Sequence, residues 1–286
     1  MQVVETIAQA RQAVGQSRRA GRRIGLVPTM GALHQGHRGL LNAARRGCDY
    51  LVVSIFVNPK QFGPGEDLES YPHPRRQDVQ TCRKAGVDLV FVPSLAEMYP
   101  PGFNTTVRVA GLTEGLCGAT RPGHFDGVTT VVARLFSIVA PAVAWFGEKD
   151  YQQLMVIRRM VNDLAMPIEI VGHPTVRDAD GLATSSRNAY LDAESRVQAC
   201  SIYQALCSAV EHARAGETNA ATLIALSRTR IEQAGPCTID YVSLVDARTL
   251  ESLESLNRPA RLCVAVRIGP CRLIDNVAVD VPPTDR

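Results

Sequence analysis

Gly25-Leu-Val-Pro-Thr-Met-Gly-Ala-Leu-His-Gln-Gly-His37 joins an apolar run to an amphipathic one. Ile24 to Val27 reads as a buried strand, and a turn at Gly31 follows. His34-Gln-Gly-His37 then opens a helix over Arg38 to Arg46. Two histidines three positions apart in a first helical turn share one face. Unpaired backbone N–H groups and the positive end of the helix dipole already favour anions there, and donors converging on one spot make a phosphate site. Gly31, Ala32 and Gly36 leave room for a flat ligand against the backbone. His-x-x-His by itself fits a solvated pair or half of a metal site as well. A zinc site needs a third ligand, and no Cys or acidic residue stands nearby at ligand spacing. The order strand, glycine turn, His-x-Gly-His is the more specific signal.

Outward from this stretch the chain alternates strand and helix. Helices are expected at 5–20, 37–47, 75–85, 127–139 and 150–164. Apolar strands are expected at 24–28, 50–57, 88–92, 142–146 and 168–171, with an extended segment at 103–109. Nearly unbroken apolar strands separated by helices predict an α/β, Rossmann-like parallel sheet covered on both faces. Such sheets bind ligands beyond the carboxyl ends of their strands, where the His34/His37, Asn58 and Gly147 loops emerge. After about residue 176 the pattern changes to helices at 192–215 and 219–233, then strand runs at 239–244, 261–268 and 272–279. The expected division is a Rossmann-like substrate-binding domain at 1–175 and a smaller α+β domain at 176–286.

With 286 residues, 45% hydrophobic and 21% charged, the composition is that of a soluble globular protein of one large or two ordinary domains. A net charge of +3 from scattered Lys and Arg argues against a nucleic-acid partner. The N-terminal residues lack the basic and apolar regions of a signal peptide, and no apolar run approaches the ~18 residues of a membrane span. The 8 cysteines form no C-x-x-C and lie mostly in apolar segments, as reduced core thiols do. A cytoplasmic protein without a membrane partner is expected.

Four more clusters carry chemistry. In Ser54-Ile-Phe-Val-Asn-Pro-Lys-Gln-Phe62, Asn58 and Gln61 suit a hydroxy acid or carboxylate, although Asn-Pro is also plain turn chemistry. In Phe146-Gly-Glu-Lys-Asp-Tyr-Gln-Gln153, Lys149 offers a point charge to phosphates and Asp150 an acceptor to ribose hydroxyls. Gln153 follows one turn later; the alternative is an acid-capped surface helix. In Asp180-Gly-Leu-Ala-Thr-Ser-Ser-Arg-Asn188, the Ser185 and Ser186 hydroxyls and the Arg187 fork could wrap a triphosphate, or form an ordinary capped loop. In Arg121-Pro-Gly-His-Phe-Asp126, His124 reads as structural.

Together these segments closely resemble the pantothenate synthetase (pantoate–β-alanine ligase) family. The His34-to-His37 turn resembles the HIGH-type motif of the nucleotidyltransferase superfamily, which includes class I aminoacyl-tRNA synthetases. Glu66-Asp67-Leu68, Gln152-Gln153 and Arg272-Leu-Ile-Asp-Asn276 extend the match over nearly the whole chain. The resemblance implies that ATP, (R)-pantoate and β-alanine give pantothenate, AMP and pyrophosphate through a pantoyl adenylate, with Mg²⁺. By motif, His34 and His37 would stabilise the ATP phosphates, and Met30, Gly31 and Gly147 would border the nucleotide. Lys149 would neutralise phosphate charge, Asp150 would hold the ribose and Val176 would lie against the adenine. Thr184, Ser185, Ser186 and Arg187 would stand in for a KMSKS loop. Asn58, Gln61 and Gln153 would hold pantoate or β-alanine. The smaller domain would be a lid, and the protein a homodimer. Two competing readings are a plain nucleotidyltransferase and a non-catalytic RNA-binding relative of the synthetases.

Overall fold

The computed structural model describes residues 1–282. Its elements run β1 (Gln2–Val4), α1 (Ile7–Arg19), β2 (Ile24–Thr29), α2 (Gln35–Arg46), β3 (Tyr50–Ile55), α3 (Arg75–Lys84), β4 (Leu89–Phe91), α4 (Leu95–Met98) and α5 (Cys117–Thr120). Then come α6 (His124–Val139), β5 (Val143–Gly147), α7 (Tyr151–Asp163), β6 (Glu169–His173), α8 (Ala193–Arg214), α9 (Ala220–Gln233), β7 (Thr238–Asp246), β8 (Ala260–Ile268) and β9 (Cys271–Val279). Short 3₁₀ turns lie at Pro59–Gln61, Glu148–Asp150 and Ser186–Tyr190. The chain forms two compact units. The first comprises Met1–Ala110, Arg121–Glu148 and Gln153–Pro174; the second comprises Gly111–Thr120, Lys149–Gln152 and Thr175–Arg286. A single cut at 175 therefore does not reproduce the division.

In the first unit every strand pairing is parallel, in the order β1-β4-β3-β2-β5-β6. β3 is buried at every position, as a strand covered on both faces must be, which explains its unbroken apolar sequence. Leu40, Leu41 and Ala44 of α2 and Cys82 of α3 pack on one face, against Val27, Leu51, Val53, Val90 and Trp145. Helices α1 and α6 touch each other and β2 and cover the other face. The chain leaves β2 toward β3 but leaves β5 toward β6, on the opposite side. The carboxyl ends of β2 and β5 thus flank the switch point where open α/β sheets bind ligands.

Two segments add detail that the sequence pattern does not carry. Residues 103–109 join no sheet. Val107 pairs with helix hydroxyls instead, its N–H donating to Thr130 Oγ1 (3.0 Å) and its carbonyl accepting from Thr129 Oγ1 (2.5 Å). Residues 2–4, too short to read as a strand, form the sheet edge beside β4.

The second unit is an antiparallel sheet, β7-β8-β9, packed against α8 and α9. Its core brings Ile202, Leu206, Leu223 and Ile231 onto Leu244, Leu262, Val264 and Val266. Asp192 caps α8, accepting from Ser195 N–H at 2.8 Å. The cysteines are free, and burial pushes the Cys82 and Cys263 thiols up to about 12, so both are inert core residues. Among the described residues no helix is long and apolar enough to cross a membrane.

Candidate active site

The chain turns from β2 into α2 through two left-handed residues, Gly31 (φ 87°) and Ala32 (φ 51°). Glycine adopts this region freely, whereas alanine there costs on the order of 1 kcal/mol and must be held. Asp78 of α3 holds it, its carboxylate accepting from Ala32 N–H (2.9 Å) and Leu33 N–H (2.7 Å). Asp78 is only 2% exposed, and burial raises its pKa against the pull of those two donors. A side chain at position 31 would bring its Cβ within 2.9 Å of the same carboxylate.

This tight turn delivers His34 as the N-cap of α2 rather than as a residue of its first turn. His34 Nδ1 accepts from Gly36 N–H (3.1 Å), and His37 Nδ1 accepts from His34 N–H (3.3 Å). A capping box built from two imidazoles fixes the tautomer: Nδ1 is the acceptor, so the neutral ring carries its proton on Nε2. The two ring centroids are 4.1 Å apart. The pair therefore sets two N–H donors at a helix N-terminus, at the carboxyl end of β2.

The loop after β3 is built around Gln61. Its Nε2 donates to Met30 Sδ (3.1 Å) and its Oε1 accepts from Asn58 Nδ2 (3.1 Å). A thioether is a weak acceptor, so a substrate oxygen would displace it at little cost. Asn58, expected among the substrate ligands, is only 1% exposed and fully engaged. Its Nδ2 also donates to the Gly127 carbonyl (3.0 Å), while its Oδ1 accepts from Tyr99 OH (2.8 Å) and Lys60 N–H (3.3 Å). Its side chain orients the Gln61 amide. Arg121 grips Glu66 through two bonds (2.7 and 2.6 Å) and reaches the Gln61 carbonyl (3.2 Å), to which His124 Nδ1 also donates (2.7 Å). Burial works to raise Glu66, but the Arg121 guanidinium outweighs it and holds the carboxyl at about 2. His124 thus serves structure, as its sequence context suggests. Gly147 and Gln153, both half-buried, belong to the same unit.

The remaining candidates lie in the second unit. Lys149 Nζ stands 3.9 Å from Asp150 Oδ1 in the 3₁₀ turn that follows β5. Thr184 N–H donates to the Val176 carbonyl (3.0 Å), joining those two positions, and Thr184 Oγ1 donates to Asp178 (2.9 Å). Ser185 caps the turn that contains Ser186 and Arg187, accepting from Arg187 N–H at 3.3 Å. Asp78, Tyr99, Glu66 and Arg121 are the supporting residues to which sequence reading gave no role. Glu66 and Arg121 stood inside recognisable segments, whereas nothing local marked Asp78 or Tyr99. Among the described residues no three His, Cys, Asp or Glu are grouped to hold a metal ion.

A family model described as pantoate–β-alanine ligase matches residues 2–278. The chain belongs to the pantoate–β-alanine ligase family. The pantothenate synthetase of Rhizorhabdus wittichii is 54% identical over 285 residues, which cover 99% of this chain and 100% of that one. Among solved structures, the pantothenate synthetase of Thermus thermophilus superposes with a TM-score of 0.93 at 48% identity, covering 98% of this chain and 100% of the other. A pantoate–β-alanine ligase from Francisella tularensis, complexed with β-γ ATP and β-alanine, superposes with a TM-score of 0.81 at 35% identity over 97% of both chains. This ligase family shares the architecture found here, a six-stranded parallel sheet and a small three-stranded antiparallel one.

Proposed function

We propose that this chain condenses (R)-pantoate with β-alanine at the expense of ATP, using the residues described above in the roles below. The observation that carries the residue assignment is the histidine capping box at the switch point, which fits the phosphates of ATP in a chain of this ligase family. In the first half-reaction a pantoate carboxylate oxygen attacks the α-phosphorus and pyrophosphate leaves. In the second the β-alanine amine attacks the acyl carbonyl, and AMP leaves with the bonding electrons. Neither step needs a protein nucleophile. Alignment of two anions and stabilisation of charge moving onto pyrophosphate supply the acceleration.

His34 and His37 donate from Nε2 to the phosphates, and Lys149 adds a point charge. Met30, Gly31 and Gly147 border the nucleotide, Asp150 holds the ribose and Val176 lies against the base. Thr184, Ser185, Ser186 and Arg187 hold phosphate oxygens. Gln61 and Gln153 bind pantoate, with Asn58 acting through Gln61. Mg²⁺ would enter with ATP and would neutralise charge on its phosphates. The C-terminal domain acts as a lid that keeps water from the acyl adenylate. A cytoplasmic homodimer without nucleic-acid or membrane partners completes the reading.

ATP–pyrophosphate exchange with pantoate present and β-alanine absent tests the assignment. Exchange that requires pantoate is expected. No exchange, and no AMP after β-alanine is added, would overturn it.

A further inference from the structure

The Arg272-Leu-Ile-Asp-Asn276 segment of β9 belongs to the family match but has no part in the chemistry above. Asn276 is only 5% exposed, yet its Nδ2 donates to the Lys149 carbonyl at 3.0 Å, across 127 residues of sequence. Its Oδ1 accepts from Arg261 Nη1 (3.1 Å), which fixes the orientation of the amide. Arg261 in turn lies over the Tyr151 ring, 4.1 Å from its centroid, and Tyr151 OH donates to the Ala247 carbonyl at 2.7 Å. The neighbouring Asp275 accepts from both arms of Arg177 (2.6 and 2.9 Å), the residue next to Val176. At the start of the strand, Cys271 Sγ donates to the Arg187 carbonyl (3.3 Å). One strand thus tethers three separate segments through Lys149, Arg177 and Arg187.

We infer that Asn276 is a positioning residue for Lys149, fixing the peptide plane from which the lysine projects, with Arg261 locking the asparagine. Lys149 sits in a single 3₁₀ turn, Glu148–Asp150. Such turns have poor internal hydrogen-bond geometry, and a lysine stem is flexible. A charge that must meet a transferring phosphoryl group needs an external tether, because a displacement of about 1 Å can cost roughly 100-fold in rate. Asn276 supplies that tether without touching the ligand. The inference rests on the reading of Lys149 as a phosphate-binding group.

The experiment compares pantoate-dependent ATP–pyrophosphate exchange in Asn276→Asp, Asn276→Ser, Lys149→Ala and the double variants. Asp is isosteric but cannot donate to a carbonyl; Ser is too short to reach. Each Asn276 variant is expected to lose about 10- to 100-fold in kcat for exchange with the KM for pantoate little changed. In the Lys149→Ala background the same substitutions are expected to add less than about twofold, the sign of two groups acting through one interaction. Wild-type exchange in folded Asn276 variants, or fully multiplicative losses in the double variants, would overturn the inference and leave the Lys149 reading standing. Wild-type exchange in Lys149→Ala would overturn both. If both Asn276 variants fail to fold, Asn276 is a structural residue and the inference is wrong.

Discussion

Each imidazole of the His34/His37 pair does two things at once. Nδ1 closes the helix cap, and closing it commits Nε2 to be the donor. The two contributions can be separated. His37→Ala is expected to lose roughly 10²- to 10³-fold in kcat, as removal of one charge-stabilising donor does, and about 1 kcal/mol of stability for the broken cap. His37→Gln keeps a residue suited to that position of a capping box, so it should recover the stability and not the rate. Thermal unfolding and pyrophosphate exchange on the two variants check this, and full exchange in His37→Gln would remove the ring from the mechanism. The pair is legible in sequence because turn, donor and acceptor all lie within the single stretch from Gly31 to His37. Asp78 is not, since its partner Ala32 lies 46 residues away and a lone Asp in a helix has many explanations. Asn58 shows a third case: it caps the Pro59–Gln61 turn, as Asn-Pro turn chemistry suggests, and it also aims Gln61 through a contact that the sequence does not display.

At the scale of elements, α6 and the Asn58–Gln61 turn are fitted to one another. Gly127 lets them touch: a Cβ there would fall 2.2 Å from the Lys60 carbonyl oxygen and 2.6 Å from Gln61 N. Gly127→Ala must therefore move the backbone of the turn, and overpacking of this kind costs about 1–3 kcal/mol. The expected kinetic signature is a rise in the KM for pantoate of about tenfold or more, since Gln61 moves while the histidines do not. An unchanged KM would separate Gln61 from pantoate binding. The other end of this turn is held electrostatically. Glu66 titrates at about 2 when folded, against an ordinary 4.5. A carboxyl with a depressed folded value contributes stability that is present above 4.5 and is lost as the pH falls from there toward 2. The full contribution is at most roughly 3 kcal/mol. Urea midpoints measured between pH 7 and pH 2.5 should fall less steeply for Glu66→Gln than for the wild type; parallel curves would show that the Arg121 pair contributes nothing. Helix α6 itself was legible from its apolar run. Its fit to the Lys60 backbone was not, because a glycine amid apolar residues carries no address.

For the whole molecule, alternating apolar strands and helices suffice to announce a parallel sheet, but strand order is invisible when every strand reads as the same apolar run. The domain boundary was hidden for a related reason. Residues 111–120 carry no strand or helix periodicity of their own, yet Gln152 gathers them into the second unit: Cys117 N–H donates to its Oε1 (3.0 Å), and its Nε2 donates to the Leu112 (2.8 Å) and Gly115 (2.9 Å) carbonyls. Tyr241 OH meets Cys117 Sγ at 3.2 Å, and Arg272 reaches Thr120 Oγ1 at 3.1 Å. A fragment starting at residue 176 keeps Asp240 for Arg272 but loses Thr120 and Cys117, and it strips the Lys149 carbonyl from Asn276. Buried polar groups left without partners cost about 1–3 kcal/mol each. Several such losses are a large share of the roughly 5–15 kcal/mol that a domain typically has. The fragment 176–286 is therefore expected to keep the helical circular dichroism of α8 and α9, whose core is internal to it. It should unfold in urea at a much lower midpoint than the same unit within the full chain, and with reduced cooperativity. Tryptophan does not occur in this segment, so tyrosine fluorescence of Tyr241 and its neighbours can follow the transition. Cooperative unfolding of the fragment at the full-length midpoint would mean that residues 111–120 and 149–152 lean on the unit without supporting it.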